Sequence, residues 1–268
     1  MSSENASSGT LKSLFASLVI IISLIFSVVI YMFVLGNPNN FEEMNPANHP
    51  LPGNYLGIIY KGGVIVPLLI TLNLVVITFS FERGFTIAKA KGKGRVDAFV
   101  SKIRQLVSGN QVEEAISECD KQQGSLANVV RAGLEKYKNV QGDGKTDKEG
   151  KIAAIQKELE EATALELPML SKNLVILSTC ASIATLIGLI GTVIGMIRAF
   201  AALANAGSPD TVALATGISE ALINTALGII GSTIAIIMYN YFTTKIDAIT
   251  YGMDEAGFSI VQTFNTKN

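Results

Sequence analysis

The chain is short of charge. Asp, Glu, Lys and Arg make up 16% of its 268 residues, against about 25% in a typical soluble domain. The net charge is −1, so no basic field points to nucleic acid. His49 is the only histidine. A lone loop histidine is most often simply solvated, and with no Cys or second His beside it there is no metal site. The two cysteines, Cys119 and Cys180, lie far apart without CxxC spacing. They give no disulfide framework and no metal site, and they read as reduced structural thiols. No glycine-rich phosphate cradle is present, so no nucleotide or other cofactor is expected.

What is there is apolar: 49% of the residues are hydrophobic, and they are grouped. Leu14 to Leu35 is an uncharged run of 22 residues and Val64 to Phe81 one of 18. Leu174 to Ala204 and Val212 to Phe242 are runs of 31 each, broken only by Arg198 and Glu220 respectively. About 20 apolar residues span a bilayer, so four transmembrane helices are predicted. The first run is too long for the apolar core of a signal peptide, and no clear cleavage site follows; it is expected to remain as a helix.

Basic residues set the orientation. Sixteen of the 21 Lys and Arg fall between Arg83 and Lys172, and the segment 36–61 holds only Lys61. Basic loops stay cytoplasmic, which places 82–171 and both termini inside. The expected order is 1–35, N-terminus and first span; 36–63, periplasmic linker; 64–81, second span; 82–171, cytoplasmic helical region. It continues with 172–204, third span; 205–211, periplasmic turn; 212–243, fourth span; 244–268, cytoplasmic tail.

Within the cytoplasmic region, Val96, Phe99, Val100, Ile103 and Val107 keep a helical period that Gly109 ends. Two short helices are expected either side of Gly124, with Ser125 as a cap. "NVQGDGKTDKEG" reads as a polar loop. A helix from Lys151 is expected to run on into the third span, kinked at Pro168. The two runs of 31 residues would each reach roughly 46 Å at 1.5 Å per residue, well beyond the hydrocarbon. The fold class predicted is all-α and polytopic, with long third and fourth helices projecting into the cytoplasm and packing with a helical bundle there.

The last two spans carry small residues in register. Ala181, Thr185, Gly188, Thr192, Gly195 and Ala199 form one seam, and Ala221, Thr225, Gly228, Ser232 and Ala235 another. Small seams let helices approach closely in lipid, and Gly188, Gly191, Gly195 and Gly228 are the expected packing glycines. Packing does not account for "GISEALINTALGIIGS", in which Glu220 and Asn224 share a face and Thr225 is next to it. A carboxylate at mid-bilayer costs on the order of 3 kcal/mol. Such groups face protein or water and mark ion routes. The bland alternative is that Glu220 only pairs with another residue or sits at the interface.

"LIGLIGTVIGM" together with "GISEALINTALGIIGSTIAIIMYNYF" resembles the ExbB/TolQ proton-channel family, related more distantly to MotA. The matching stretches are Gly188 to Val193 and Gly217 to Gly228, with weaker similarity at "FER" (81–83) and "ANVVRAGLE" (127–135). The resemblance covers about residues 64–245 and is closest to ExbB.

It implies a homo-oligomer, a pentamer, in the bacterial inner membrane, with a single-span ExbD- or TolR-like partner in its pore. An aspartate of the partner would carry protons, and a TonB-like transducer would receive the work. It also implies that Thr192, Thr225 and Glu220 line the pore; Asn224 continues that polar track. A TolQ-like role in envelope integrity and a non-conducting scaffold are the alternatives. The chain departs from the pattern at Thr185, where proline is common, and at Arg198 and Asn224. The first span is an addition.

No enzyme class fits. A Ser–His dyad needs an embedded histidine, and the spans contain no aspartate for a two-aspartate site. Neither inverted repeats nor broken helices argue for a substrate transporter. A short turn makes the last two spans antiparallel, and if Thr192 faces Thr225, positions summing to about 417 share a level. Arg198 and Glu220 sum to 418. The register therefore predicts an ion pair near the external mouth, in competition with snorkelling of Arg198 to lipid headgroups.

Overall fold

The computed structural model describes residues 3–142, 146–204 and 210–267, with side chains from Phe15 onward. Among the described residues there are helices and no strand; an isolated bridge joins Phe41 and Pro50. Four helical stretches among the described residues are long and apolar enough to cross a membrane, the architecture of an all-α polytopic protein. The chain forms two compact units. One takes the chain through Phe81 with Val175–Tyr239, the other Glu82–Leu174 with the chain from Asn240.

The first unit holds the apolar runs. Helix α1 (Ser3–Val29) passes into a π-helical turn, Ile30–Leu35. Helix α3 (Val66–Lys91) carries the second run and α8 (Leu174–Ala204) the third, residue for residue. Helix α9 (Thr211–Lys267) contains the fourth and continues for 57 residues in all. Residues 205–209 of the predicted turn lie outside the described residues. At its near end, Asp210 accepts backbone N–H bonds from Val212 (3.1 Å) and Ala213 (2.9 Å), capping α9. Helix α1 is held to α3 at polar as well as apolar points. Ser27 and Thr71 share a hydroxyl contact of 2.7 Å, and the Phe15 and Phe79 rings meet edge to face at 6.2 Å.

The linker 36–63 is folded. Asn40 donates to the Val34 and Leu35 carbonyls (2.8 and 2.9 Å), which the end of the π-helical turn leaves without helical donors. Phe41 is buried against Tyr60, and Lys61 Nζ ties Pro46 and Ala47 by their carbonyls at 3.0 Å each. A short helix α2 (Tyr55–Tyr60), capped by Asn54, leads to Gly62–Gly63 and the start of α3.

The second unit is built from the amphipathic helices α4 (Val96–Ser108), α5 (Val112–Gln122) and α6 (Gly124–Gln141) and from α7 (Lys148–Ser171), which buries Ile155, Leu159 and Leu170. The C-terminal part of α9 packs among them, burying Met253, Ala256, Ile260 and Phe264; Phe264 meets Tyr137 edge to face at 4.9 Å. The segment 244–267 is therefore core helix.

Three expectations change here. Ser125 is buried and caps nothing. The break between α5 and α6 comes from Gln123 (φ 58°) and Gly124 (φ 84°), whose backbone lies so close to Ala90 and Gly92 that a side chain could not fit. Helix α7 begins at Lys148, three residues before the expected Lys151, because Asp147 accepts from the Gly150 N–H at 3.0 Å; residues 143–145 of the polar loop lie outside the described residues. Finally, α7 does not run unbroken into α8. Pro168 has no N–H to give the preceding turn. The helix ends at Ser171, Lys172 is extended, and Asn173 adopts φ 64°, with its amide donating to Glu82 at 3.3 Å.

Candidate functional site

The two small-residue seams face each other across antiparallel α8 and α9. A β-carbon on Gly195 would stand 2.7 Å from the Ala221 nitrogen and the Gly217 carbonyl oxygen. One on Gly228 would stand 2.6 Å from the Ala184 carbonyl oxygen, and one on Gly188 3.0 Å from that of Asn224. These are backbone-to-backbone approaches that only residues lacking bulk permit. Ser232 locks the far end by donating to the Ala181 carbonyl at 2.6 Å.

That close approach brings the polar positions level. The Thr192 and Thr225 hydroxyls are hydrogen-bonded to each other, one giving its proton to the other; the accepting hydroxyl is left free to donate within its own helix, Thr192 to the Gly188 carbonyl or Thr225 to that of Ala221, each at 3.2 Å. Both threonines are half-buried. About one and a half turns away, Arg198 Nη1 donates to both carboxylate oxygens of Glu220, at 2.6 and 2.8 Å. The pair is lopsided: the Glu220 side chain is 4% exposed and that of Arg198 54%.

Glu220 and Asn224 are both buried within the chain. Asn224 is fully buried, and it fits because Gly191 opposite it has no side chain. Its Nδ2 donates to the Gly62 carbonyl at 2.9 Å, while its Oδ1 has no partner among the described residues. Gly63, at φ 77°, lies so near the Glu220 carboxylate that a β-carbon would overlap it. The Gly62–Gly63 loop therefore closes over the ion pair from the linker side. These two glycines are part of the site. The available signal was a Gly-Gly pair directly ahead of an apolar run, a place where glycine serves close backbone approach.

The described residues hold no group of His, Cys, Asp and Glu suited to a metal. Chemically, the arrangement offers two hydroxyls and one guanidinium at the surface, and a carboxylate and an amide behind them. It offers no second acid to hand a proton to.

The sequence model of the MotA/TolQ/ExbB proton channel family matches residues 121–255, which include both polar pairs. The chain is 28% identical over 209 residues to the biopolymer transport protein ExbB of Pseudomonas putida, covering 76% of this chain and 61% of that protein. It is 28% identical over 187 residues to the Tol-Pal system protein TolQ of Pseudomonas aeruginosa, covering 68% and 80%. It is 26% identical over 200 residues to the TolQ protein of Haemophilus influenzae, covering 73% and 87%.

Proposed function

Because the chain belongs to the MotA/TolQ/ExbB proton channel family, and is a multi-pass membrane protein of that family, we propose that it is the channel-forming stator subunit of an ExbB-type motor. In this reading the motor lies in a bacterial inner membrane, with both termini of the chain cytoplasmic. It uses the proton motive force to energise TonB-dependent transport across an outer membrane.

The observation that carries the reading is the Thr192–Thr225 pair: two hydroxyls, level with each other and half-buried, on the facing helices of a mostly apolar hairpin. Several copies, a pentamer in this reading, would place a ring of such pairs around a common axis. Hydroxyls that donate and accept can pass a proton along a file of waters without becoming charged. The chain's only acid in its apolar runs, Glu220, is tied to Arg198 and shielded by Gly63. The titrating acid must then come from a partner, a single-span ExbD-like protein threaded through the ring. Arg198 and Glu220 would set the electrostatics at the mouth and hold the hairpin together.

The test is proton uptake into vesicles containing the chain and that partner. Thr225→Ser should conduct, and Thr225→Val should not, with equal oligomer recovered from both. Wild-type flux through Thr225→Val would end the reading.

The second reading is a TolQ-type role, favoured by the larger share of the TolQ relatives' length that the alignments cover. A deletion strain separates the two. Loss of energised uptake of outer-membrane substrates supports the first, and sensitivity to detergent with normal uptake supports the second.

A further inference from the structure

Within the second unit, helices α3 and α9 leave a groove of about 480 Å³ between them. Its floor is apolar: Ile87, Phe242 and Ile249 are all at most 5% exposed. Gly84, Ala88 and Ala248 keep its walls low, and the nearest ring atoms of Phe242 would lie 3.8 Å from a β-carbon on Gly84. Its rim is basic. Lys91, Arg95 and Lys245 line it and are exposed, with Asp97 as the only acid. Asp97 stands 3.7 Å from Arg95, with both side chains more than four-fifths exposed, so it offsets little. Neither Lys91 nor Lys245 forms an ion pair among the described residues; Lys245 Nζ lies 5.4 Å from the centre of the Tyr241 ring.

The rim is also held in place. The turn after α3 has glycines in the left-handed region at Gly92 (φ 75°) and Gly94 (φ 93°). The Lys93 N–H donates to the Gln122 carbonyl at 2.6 Å, and Gln122 Nε2 to the Lys91 carbonyl at 3.2 Å. Residues 89–95 carry Lys89, Lys91, Lys93 and Arg95 and no acid.

The groove's level follows from the chain. Gly84 is three residues beyond Phe81, the last of the second apolar run, and Phe242 is the last of the fourth. Lys245 is then about 5 Å past Phe242 and Lys91 about 15 Å past Phe81 along their helix axes. A headgroup layer is about 5–8 Å deep, so Lys245 stands within it and the stem of Lys91 reaches back toward it. An apolar floor at the hydrocarbon edge, under exposed cations, matches a molecule with an acyl end and an anionic end.

We propose that this groove is a binding site for an anionic phospholipid of the adjoining leaflet. The phosphate is held by Lys91, Arg95 and Lys245, and the glycerol and upper acyl carbons lie on Ile87, Phe242 and Ile249. A soluble anion would gain nothing from the floor. A zwitterionic lipid would bring its own cation to the rim. The inference depends on the chain crossing a membrane and is independent of proton conduction.

Two measurements on the full-length protein test it. In the first, the detergent-purified oligomer is loaded with a 1:1 mixture of phosphatidylglycerol and phosphatidylcholine, and retained lipid is counted by native mass spectrometry. The wild type should retain phosphatidylglycerol selectively. The triple variant K91Q/R95Q/K245Q should retain on the order of a hundredfold less, while a control neutralising Lys121, Lys136 and Lys157 should match the wild type. Equal retention by wild type and triple variant would overturn the site.

In the second, Ala248→Cys in a Cys119→Ala, Cys180→Ala background is labelled with a maleimide in nanodiscs. Labelling should be several-fold slower in phosphatidylglycerol than in pure phosphatidylcholine. Uniformly slow labelling in both lipids would mean that a neighbouring copy covers the groove. Uniformly fast labelling would mean that nothing does. Either result refutes the proposal.

Discussion

Arg198→Met should damage the protein more than Glu220→Gln, although each removes one end of the same ion pair. The difference lies in what is left behind. Without Arg198, a carboxylate 4% exposed loses its only charged partner; without Glu220, a guanidinium 54% exposed turns to water or headgroups. Breaking a buried pair by removing one partner costs about 3–5 kcal/mol. Arg198→Met should therefore lose about 3–5 kcal/mol. Glu220→Gln, which leaves an exposed cation, should lose about 1–2 kcal/mol. The double variant has no stranded charge and should be more stable at pH 7 than Arg198→Met alone. The chain has no tryptophan, so SDS titration in mixed micelles followed by circular dichroism is the appropriate assay. Recovered oligomer is the second readout. Losses that add within about 0.5 kcal/mol, or an Arg198→Met defect no larger than that of Glu220→Gln, would refute this account of the pair.

Gly217→Ala should open the hairpin, because the new β-carbon would stand 2.8 Å from the Ala199 nitrogen and the Gly195 carbonyl oxygen. Neither backbone atom can move aside, and a loss of about 1–3 kcal/mol in the same titration is expected. Gly142→Ala, whose β-carbon meets nothing nearer than 4.0 Å, serves as the neutral control. Asn224→Ala removes the tether to the Gly62 carbonyl. It should cost about 1–2 kcal/mol and speed proteolysis within 36–63; an unchanged cleavage rate would mean the loop is held without it. Cys119 is 3% exposed, and burial, with Asp120 beside it, pushes its thiol up to about 12. At pH 8 its thiolate fraction should be roughly a thousandfold below that of an ordinary thiol. Maleimide should label it only on unfolding, and rapid labelling of the native protein would contradict the packing of α5.

The hairpin was legible in the sequence because lipid leaves a chain few options. Backbone groups in hydrocarbon must be paired within the helix, so an uncharged run such as Leu174–Ala204 marks its own ends. Close approach demands small residues at helical spacing, so the seams fix which faces meet and at what register. Away from lipid those constraints lapse. Nothing local in "GKGR" or "QQGS" says that Gly92 and Gly124 take positive φ because their backbones pass each other; that is decided by α3 packing on α6. The break at Lys172–Asn173 was hidden for a similar reason. Pro168 signals a disturbance, but only the hydrogen bond from Asn173 to Glu82 fixes where it falls. The burial of Glu220 and Asn224 was half legible: their shared face could be read, but its covering by Gly62–Gly63, some 160 residues earlier in the chain, could not.

The closure of that loop over the ion pair carries an evolutionary consequence. Gly62, Gly63, Gly191, Arg198, Glu220 and Asn224 occupy one volume in which each residue's size or charge presupposes the others. A β-carbon at Gly63 displaces the carboxylate, one at Gly191 displaces the amide, and loss of Arg198 strands the acid. Single replacements then pass through unfit intermediates, and the six positions should drift as a block. In relatives with an uncharged residue in place of Arg198, the constraint on Gly63 should relax. A relative with no backbone carbonyl in the place of that of Gly62 gives Asn224 nothing to donate to, and there the position of Asn224 should be filled by an apolar or small side chain. An alignment deep enough to score pairwise covariation would detect the block as a group of mutually dependent columns joining the linker to the hairpin.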